Sequence, residues 1–323
     1  MNGERPFFSI IAASYNAGEK LRRTAENVLA QTCGDYELIV KDAGSADGSV
    51  EALVQAYGGT DCSAGDAGLS DGASATAREP RLRVIVSRDR GIYDGMNQAA
   101  AAVRGRYVLF LNCGDYLHAP ETLALVKKEI LRREESVGSA GCSGKSEREG
   151  DVRKGERRMK EASASRYIFY GDIIERTSGQ RVNANPVIDD FACYRNVPCH
   201  QACFYSAALV RERPFDIALR VRADYEHFLW CYYRGGARME PLGMVVADYE
   251  GGGFSETPEN RAVSAAEHRL VTAMYIPRGR RFLFRLYLLV TLQPLREKLA
   301  HGRHTAALYD AVKNRLYRRG SGR

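Results

Sequence analysis

Short apolar runs alternate with helix-period segments along the first part of the chain. Four runs predict buried strands, at residues 7–13, 36–40, 82–86 and 107–111. Apolar residues at helical spacing predict helices over residues 20–32, from near Val50, over 93–103 and over 120–133. Such alternation is typical of a parallel sheet covered by helices on both faces. We therefore expect an α/β fold with a Rossmann-like, mostly parallel sheet flanked by helices.

Polar side chains follow each predicted strand. They are Ser14, Tyr15 and Asn16 after the first strand, Asp42 after the second, residues 87–94 after the third and residues 112–115 after the fourth. Ligands of open parallel sheets bind at the carboxyl ends of the strands. The pattern therefore predicts a ligand site formed by these four segments.

After residue 165 the pattern becomes mixed. Strands are predicted at residues 167–174, around 203–205 and at 243–249, with an aromatic-rich helix over 224–234 and a helical end over 276–317. Two stretches, 58–79 and 136–165, are rich in Gly, Ala, Ser or charged residues and lack the apolar content that packing requires. We interpret both as mobile surface insertions.

The net charge of +7 is concentrated at the end of the chain. Residues 278–323 carry twelve Lys or Arg and two acidic residues, which leaves a net −3 for the rest. This asymmetry predicts an anionic partner for the tail. An amphipathic helical region over 276–319 on an anionic membrane surface and a helix packed on the body with a solvated basic end both fit. No nucleic-acid-binding motif is present, so nucleic acid is not expected as a partner.

Targeting and redox signals point to the cytoplasm. The first residues lack the order of basic, apolar and small-residue regions that marks a signal peptide. The apolar stretch 282–290 contains Arg285 and is shorter than the ~20 residues that a membrane span needs. Eight scattered cysteines without a CxxC pair predict free thiols in a reducing compartment.

Five segments together resemble a known enzyme family. They read SIIAASYNAGEKLRRTAENVLAQTCGDYELIVKDAGSADGS, RDRGIYDGMNQAAAAVRGRYVLFLNCGD, CHQACFYS, RADYEHFLW and DYEGGGFS. In order and spacing they resemble the family-2 inverting glycosyltransferases of the GT-A fold. The pattern is most similar to a bacterial, colanic-acid-biosynthesis-like subgroup that reads GIYDAMN followed by LNSGD. The resemblance covers roughly residues 7–256, apart from the two insertions.

This resemblance implies the domain plan and the reaction. Residues 1–256 would form a GT-A catalytic domain, with a nucleotide half at 7–135 and a mixed acceptor half at 166–256, followed by a basic amphipathic helical region at 257–323. The enzyme would move one hexosyl or N-acetylhexosaminyl unit from a nucleoside diphosphate sugar to a glycan or lipid-linked acceptor. The only tryptophan is Trp230, so the Gln-x-x-Arg-Trp motif of processive synthases is absent. We expect a cytoplasmic enzyme, peripheral on the inner face of the membrane.

The resemblance also implies a donor site. Asp115 would hold Mg²⁺ or Mn²⁺ against the diphosphate, since such cations prefer carboxylate and phosphate oxygens. Asn112 and Gly114 stand where relatives have further aspartates. The donor-binding residues would be Ser14, Tyr15, Asn16, Asp42, Asp89, Asp94 and Asn112, with Arg88 and Arg90 available to phosphate. The residues alone also permit a turn-forming Asp42, a helix-end charge at Asp94 and a helix cap at Asp115.

On the acceptor side the resemblance implies a single base. Asp224 would deprotonate the acceptor hydroxyl in one inverting displacement, with His200 and Gln201 nearby. Its position at the start of a predicted helix equally permits a capping role.

The residues also leave two other functions open. A nucleotidyltransferase would need a Gly-rich, basic loop after the first strand, and the SYNAG segment there is not such a loop. A degenerate, membrane-associated sugar-nucleotide binding protein is supported by the sparse acidic motif at residues 112–115.

Overall fold

The computed structural model describes residues 5–61, 81–140, 166–251 and 257–291. The first half contains β1 (Phe8–Ser14), α1 (Glu19–Leu29), β2 (Tyr36–Asp42), α2 (Ser49–Tyr57), β3 (Thr60–Asp61), β4 (Leu82–Val86), α3 (Ile92–Ala101), β5 (Tyr107–Phe110), β6 (Tyr116–Leu117) and α4 (Thr122–Ala140). The second contains β7 (Tyr167–Glu175), β8 (Gln180–Val182), α5 (Asp190–Arg195), a 3₁₀ turn (His200–Ala202), β9 (Cys203–Ser206), α6 (Ala207–Glu212), α7 (Ala223–Tyr233), β10 (Arg238–Tyr249), α8 (Pro258–Tyr275) and α9 (Arg278–Val290).

One mixed sheet organises the fold. Within the described ranges it has ten strands, in the order β3-β4-β2-β1-β5-β9-β7-β10-β6, and β8 pairs with β7. Strands β3, β4, β2, β1 and β5 are parallel to one another, whereas β9 runs antiparallel to both β5 and β7. The chain moves outward from β1 through β2 and β4, then returns to the other side of β1 as β5. Open sheets of this kind bind ligands outside the carboxyl ends of the strands, near the point where the strand order reverses. The predicted α/β fold is confirmed.

The two halves of the sheet share a hydrophobic core. Every residue of β2 is buried, as a parallel strand covered on both faces requires. Aromatic rings cross the junction between the halves: Phe8 lies 5.2 Å from Phe204, and Tyr107 lies 5.5 Å from Phe169, between ring centroids. Such aromatic contacts add specific packing to the burial of apolar area. The two halves of the sheet therefore form one body.

Some boundaries differ from the predicted ones. Strand β10 begins at Arg238 and not at residue 243, because its parallel pairing with β7 continues across an irregularity between Pro241 and Val245. Helix α4 continues to Ala140, into the predicted insertion 136–165, and β3 lies in the predicted insertion 58–79. The rest of these two insertions, residues 62–79 and 141–165, lies outside the described residues.

The chain divides into two compact units, residues 1–271 and 272–323. The sequence predicts a boundary at 256, whereas residues 257–271, which include most of α8, belong to the first unit. In the second unit the description ends at residue 291, and the remainder of the predicted helical region 276–317 lies beyond it. No described helix combines the length and the apolar character that crossing a membrane requires.

Candidate active site

A cavity of about 670 Å³ opens at the carboxyl edge of the sheet. Its volume falls in the usual range for small-molecule sites. The ends of β1 and β2 and residues 88–92 line it, and among the predicted donor residues it contains Ser14, Tyr15 and Asp89. The Tyr15 side chain is 66% exposed, so its ring is available for stacking. The cavity therefore occupies the place that the strand ends predicted.

A buried lysine balances the acidic residue of this cavity. Lys41 Nζ lies 3.0 Å from Asp89 Oδ2 and donates to the carbonyl oxygens of Ser87 and Asp42. Arg88 also lines the cavity, is exposed, and forms no ion pair within the described part of the chain. The charge left over in the cavity is therefore positive, which favours an anionic ligand.

Asp42 shapes the loop after β2, and Asn16 joins that loop to the one after β1. Asp42 Oδ2 accepts from the backbone N–H groups of Gly44 and Ser45, at 2.8 and 2.6 Å, and Oδ1 accepts from Ser45 Oγ. Asn16, with a left-handed φ of 47°, accepts from Ala46 N through Oδ1 at 3.0 Å. Both predicted donor residues thus shape the rim of the cavity through bonds within the protein. For Asp42 this is the turn-forming alternative.

Asp94 lies in the first turn of α3. Its Oδ2 accepts from the backbone N–H of Arg90 at 2.9 Å, and this bond lowers the pKa of Asp94. The geometry is that of a carboxylate stabilised at a helix N-terminus. It matches the helix-end alternative for this residue.

The predicted metal-binding turn follows β5 and is tightly held. Asp115 is 3% exposed; its Oδ2 accepts from Gln201 Nε2 at 3.1 Å and its Oδ1 from Glu250 N at 2.9 Å. Burial raises the pKa of Asp115. Gly114 has a φ of 104°, and a Cβ there would lie 2.5 Å from Glu250 Oε2. Helix α4 begins seven residues after Asp115, at Thr122, so Asp115 does not cap it.

The oxygen donors of this turn suit a hard cation. Across the described residues, no group of three or more His, Cys, Asp or Glu side chains could hold a metal by itself. However, Asn112 Oδ1 is buried without a hydrogen-bond partner, close along the chain to the Asp115 carboxylate. Carboxylate and amide oxygens are ligands that Mg²⁺ and similar cations accept. The residues fit a cation that takes its remaining ligands from a diphosphate.

Asp224, the predicted base, lies at the start of α7. Its Oδ2 is 3.0 Å from His200 Nδ1, and its Oδ1 is 2.8 Å from Tyr93 Oη. Burial raises the pKa of Asp224, but the bonds from His200 and Tyr93 outweigh it and the net pKa is lowered. The residue at the N-cap of α7 is Arg222, with no side-chain capping bond. Asp224 therefore does not cap the helix and stays ionised at neutral pH.

His200 connects the two halves of the site. Its Nε2 lies 3.2 Å from Asn112 Nδ2, while its Nδ1 faces Asp224. One neutral tautomer satisfies both contacts, with Nδ1–H donating to Asp224 and Nε2 accepting from Asn112. Because the neighbouring Gln201 binds Asp115, the His-Gln pair links the turn after β5 to the N-terminus of α7.

Two residues with clear roles were missed in the sequence. Tyr93, buried in the first turn of α3, contacts Asp224. Glu267 of α8 accepts from three successive backbone N–H groups, at residues 220–222 before α7, at 2.7–2.9 Å. The GIYDGMN motif contained Tyr93, but nothing local indicated where its hydroxyl points. Glu267 offered no signal, because its partners lie more than forty residues away.

Comparison with known proteins places the chain in a family. Residues 9–193 match the family described as Glycosyl transferase family 2. A PGL/p-HBAD biosynthesis glycosyltransferase of Mycobacterium bovis (strain BCG / Pasteur 1173P2) is 29% identical over 256 residues, 78% of this chain and 80% of that protein. The crystal structure of S. aureus TarS 1-349 superposes with a TM-score of 0.51 at 16% identity, covering 83% of this chain and 70% of that chain. The same protein in complex with UDP superposes at 0.50 with 15% identity, covering 92% and 72%.

These solved structures share the fold, and the family match covers more than half of the chain. The chain therefore belongs to glycosyl transferase family 2 and is a glycosyltransferase of the GT-A fold.

Proposed function

We propose that this glycosyltransferase moves a single sugar from a nucleoside diphosphate sugar to an acceptor hydroxyl, with inversion and with Asp224 as the base. The observation that carries the proposal is the chain of contacts from Asp224 through His200 to Asn112. It sets a carboxylate with a lowered pKa beside the turn that follows β5. An acid that stays ionised next to the donor crevice is what proton removal from an acceptor requires.

The cavity at the ends of β1 and β2 supports a nucleoside diphosphate as the donor's leaving group. The exposed ring of Tyr15 suits a nucleobase, and Arg88 suits a phosphate. Ser14 and the Lys41-balanced Asp89 line the same space. We take a UDP-sugar as the first donor to test, since TarS, which shares the fold, has been crystallised with UDP.

The reaction is a single displacement. The oxygen of the acceptor hydroxyl attacks the anomeric carbon of the donor sugar while Asp224 accepts the proton of that hydroxyl. The nucleoside diphosphate leaves from the opposite face of the sugar. His200 and Tyr93 fix the carboxylate so that one of its lone pairs meets that hydroxyl. Asp115 and Asn112 would hold a Mg²⁺ or Mn²⁺ ion, which when bound neutralises charge on the departing diphosphate. One carboxylate suffices, because no covalent intermediate has to be formed and released.

We also infer a subgroup and a substrate class from the motifs. GIYDGMN, LNCGD and CHQ favour a colanic-acid-biosynthesis-like subgroup that builds bacterial surface polysaccharide. The transferred unit would be a hexose or an N-acetylhexosamine, and the acceptor a glycan or a lipid-linked sugar. Transfer would occur in the cytoplasm at the inner face of the membrane.

The test compares release of nucleoside diphosphate and product formation among three variants, with Mn²⁺ present. Asp224→Asn should lower kcat by about 10²–10⁴, the range for loss of a general base, with little change in the donor KM. Asp115→Asn should weaken binding of the donor together with the metal. Asp172→Asn is the matched control, because Asp172 is a buried carboxylate of β7 that pairs with Arg181.

Three results would contradict the proposal. Full activity of both Asp224→Asn and Asp115→Asn would overturn the site assignment. Retention of the donor's anomeric configuration in the product would overturn the single displacement. Tight nucleotide binding without turnover on any acceptor would favour the sugar-nucleotide binding protein.

A further inference from the structure

Helix α9 exposes a continuous apolar face. Five large side chains, each 48–72% exposed, fall within an arc of about 120° at roughly 100° per residue: Phe282, Leu283, Leu286, Leu289 and Val290. Phe284 and Leu288 lie on the opposite side of the helix and are less exposed. The more exposed face of α9 is therefore its most apolar one, which is the reverse of a helix that buries its apolar stripe.

Arginines border this apolar arc. Arg278 and Arg285 lie along one edge and Arg280 beyond the other, and α9 contains no acidic residue. Arginine keeps its charge at any physiological pH. Any partner surface that covers the apolar arc therefore also meets the fixed positive charges of the arginines at the edges of the arc.

The candidate surfaces that could cover the apolar arc differ in charge. A second copy of the helix would bring its own arginine borders against these ones. Residues 292–323 of the same chain hold eight Lys or Arg and two acidic residues, so that segment is also positive. An anionic lipid surface offers both an apolar interior for the arc and negative headgroups for its borders.

We propose that the apolar face of α9 is a membrane-binding element that inserts in the plane of an anionic lipid leaflet. At thirteen residues the helix is about 20 Å long, shorter than the ~30 Å hydrocarbon core, so it lies along the surface and does not cross it. The apolar side chains enter the boundary between headgroups and acyl chains, and the arginines contact phosphate groups. This membrane-binding element would hold the proposed enzyme at the membrane surface, but the evidence for it comes from α9 alone.

The test is co-sedimentation of the full-length protein with vesicles. One set contains phosphatidylcholine alone and the other phosphatidylcholine mixed with phosphatidylglycerol. The protein should pellet with the anionic vesicles, be released by added salt, and remain in solution with the neutral ones. The double variant Leu286→Glu with Val290→Glu should bind about 10-fold less or weaker still, and Arg285→Gln about fivefold less.

The matched control is Leu125→Glu, because Leu125 of α4 is 51% exposed and lies outside α9. It should bind vesicles as the unmodified protein does. Donor turnover in solution, measured on the same samples, should be equal for all these variants, so loss of membrane binding is distinguished from failure of the proposed chemistry.

Three outcomes would overturn the proposal. The first is equal pelleting of the double variant and the unmodified protein. The second is absence of binding to either kind of vesicle. This includes the case in which light scattering shows that the unmodified protein is a dimer and the double variant a monomer, since a second copy would then cover the apolar face. The third is equal binding to neutral and anionic vesicles, which would remove the role of the arginines.

Discussion

At the scale of single residues, two aspartates of the site have pKa values shifted in opposite directions. Asp115 is buried with one amide and one backbone donor, and burial raises its pKa. Asp224 receives bonds from His200 and Tyr93, which together outweigh burial and lower its pKa. Separation of carboxylate pKa values by environment is how enzymes assign different roles to similar groups. Here it favours Asp224 as the ionised base and leaves Asp115 in need of positive charge.

His200 provides the prediction at this scale. Replacing it with leucine removes the N–H that stabilises the charged form of Asp224, so the pKa of Asp224 should rise. The acid limb of the kcat/KM profile should then move to higher pH, and kcat should fall by roughly 10- to 100-fold, the size typical for residues that orient a functional group. His200→Asn keeps an N–H at the position of Nδ1 and should restore both the limb and most of kcat. If the leucine and asparagine variants had identical pH profiles of kcat/KM, His200 would not act through its hydrogen bond to Asp224.

At the scale of elements, the sequence predicted those strands and helices whose formation depends on the local pattern of apolar residues. The apolar runs of β1, β2, β4 and β5 and the helices between them were predicted to within about three residues at each end, because burial on both faces leaves a continuous signal. Strand β6 was missed: it has two residues and exists through antiparallel pairing of Leu117 with Ala247, far away in the chain. Likewise, the position of Asp42 after the predicted strand 36–40 indicated a polar strand end, but not that its carboxylate would accept hydrogen bonds from Ser45.

Glu267 gives the prediction at the element scale. Its carboxylate binds the three N–H groups that precede α7, and so fixes the segment that leads to Asp224. Glu267→Gln replaces one acceptor oxygen by a donor and removes the charge. The free energy of unfolding should fall by about 1.5–3 kcal/mol, measured by urea denaturation. Glu259→Gln, on the exposed first turn of the same helix, should change it by less than about 0.5 kcal/mol. Equal stability of the two variants would contradict the role given to Glu267.

At the scale of the whole molecule, the sheet brings elements from both of its halves to the candidate site. The cavity forms at the parallel half, Asp224 comes from the antiparallel side, and His200 and Gln201 lie on the 3₁₀ turn just before β9, which joins the halves. Because the halves share one core, a ligand in the cavity stabilises both. Ligand binding to the native state raises stability by about 2.7 kcal/mol at a concentration of 100 Kd.

This linkage supplies a prediction for the intact protein. Among UDP, GDP and dTDP, the nucleotide of the true donor should raise Tm by several degrees, and the rise should grow when Mn²⁺ is present and shrink in EDTA. Arg88→Gln should lessen the rise with and without metal, because it removes a cation that lines the cavity; Asp115→Asn should remove only the metal-dependent part. Arg132→Gln, an exposed arginine of α4, should leave the rise unchanged. A rise that is insensitive to Arg88, Asp115 and EDTA alike would show that the nucleotide binds elsewhere, since each of these changes acts on the cavity or on the turn that follows β5.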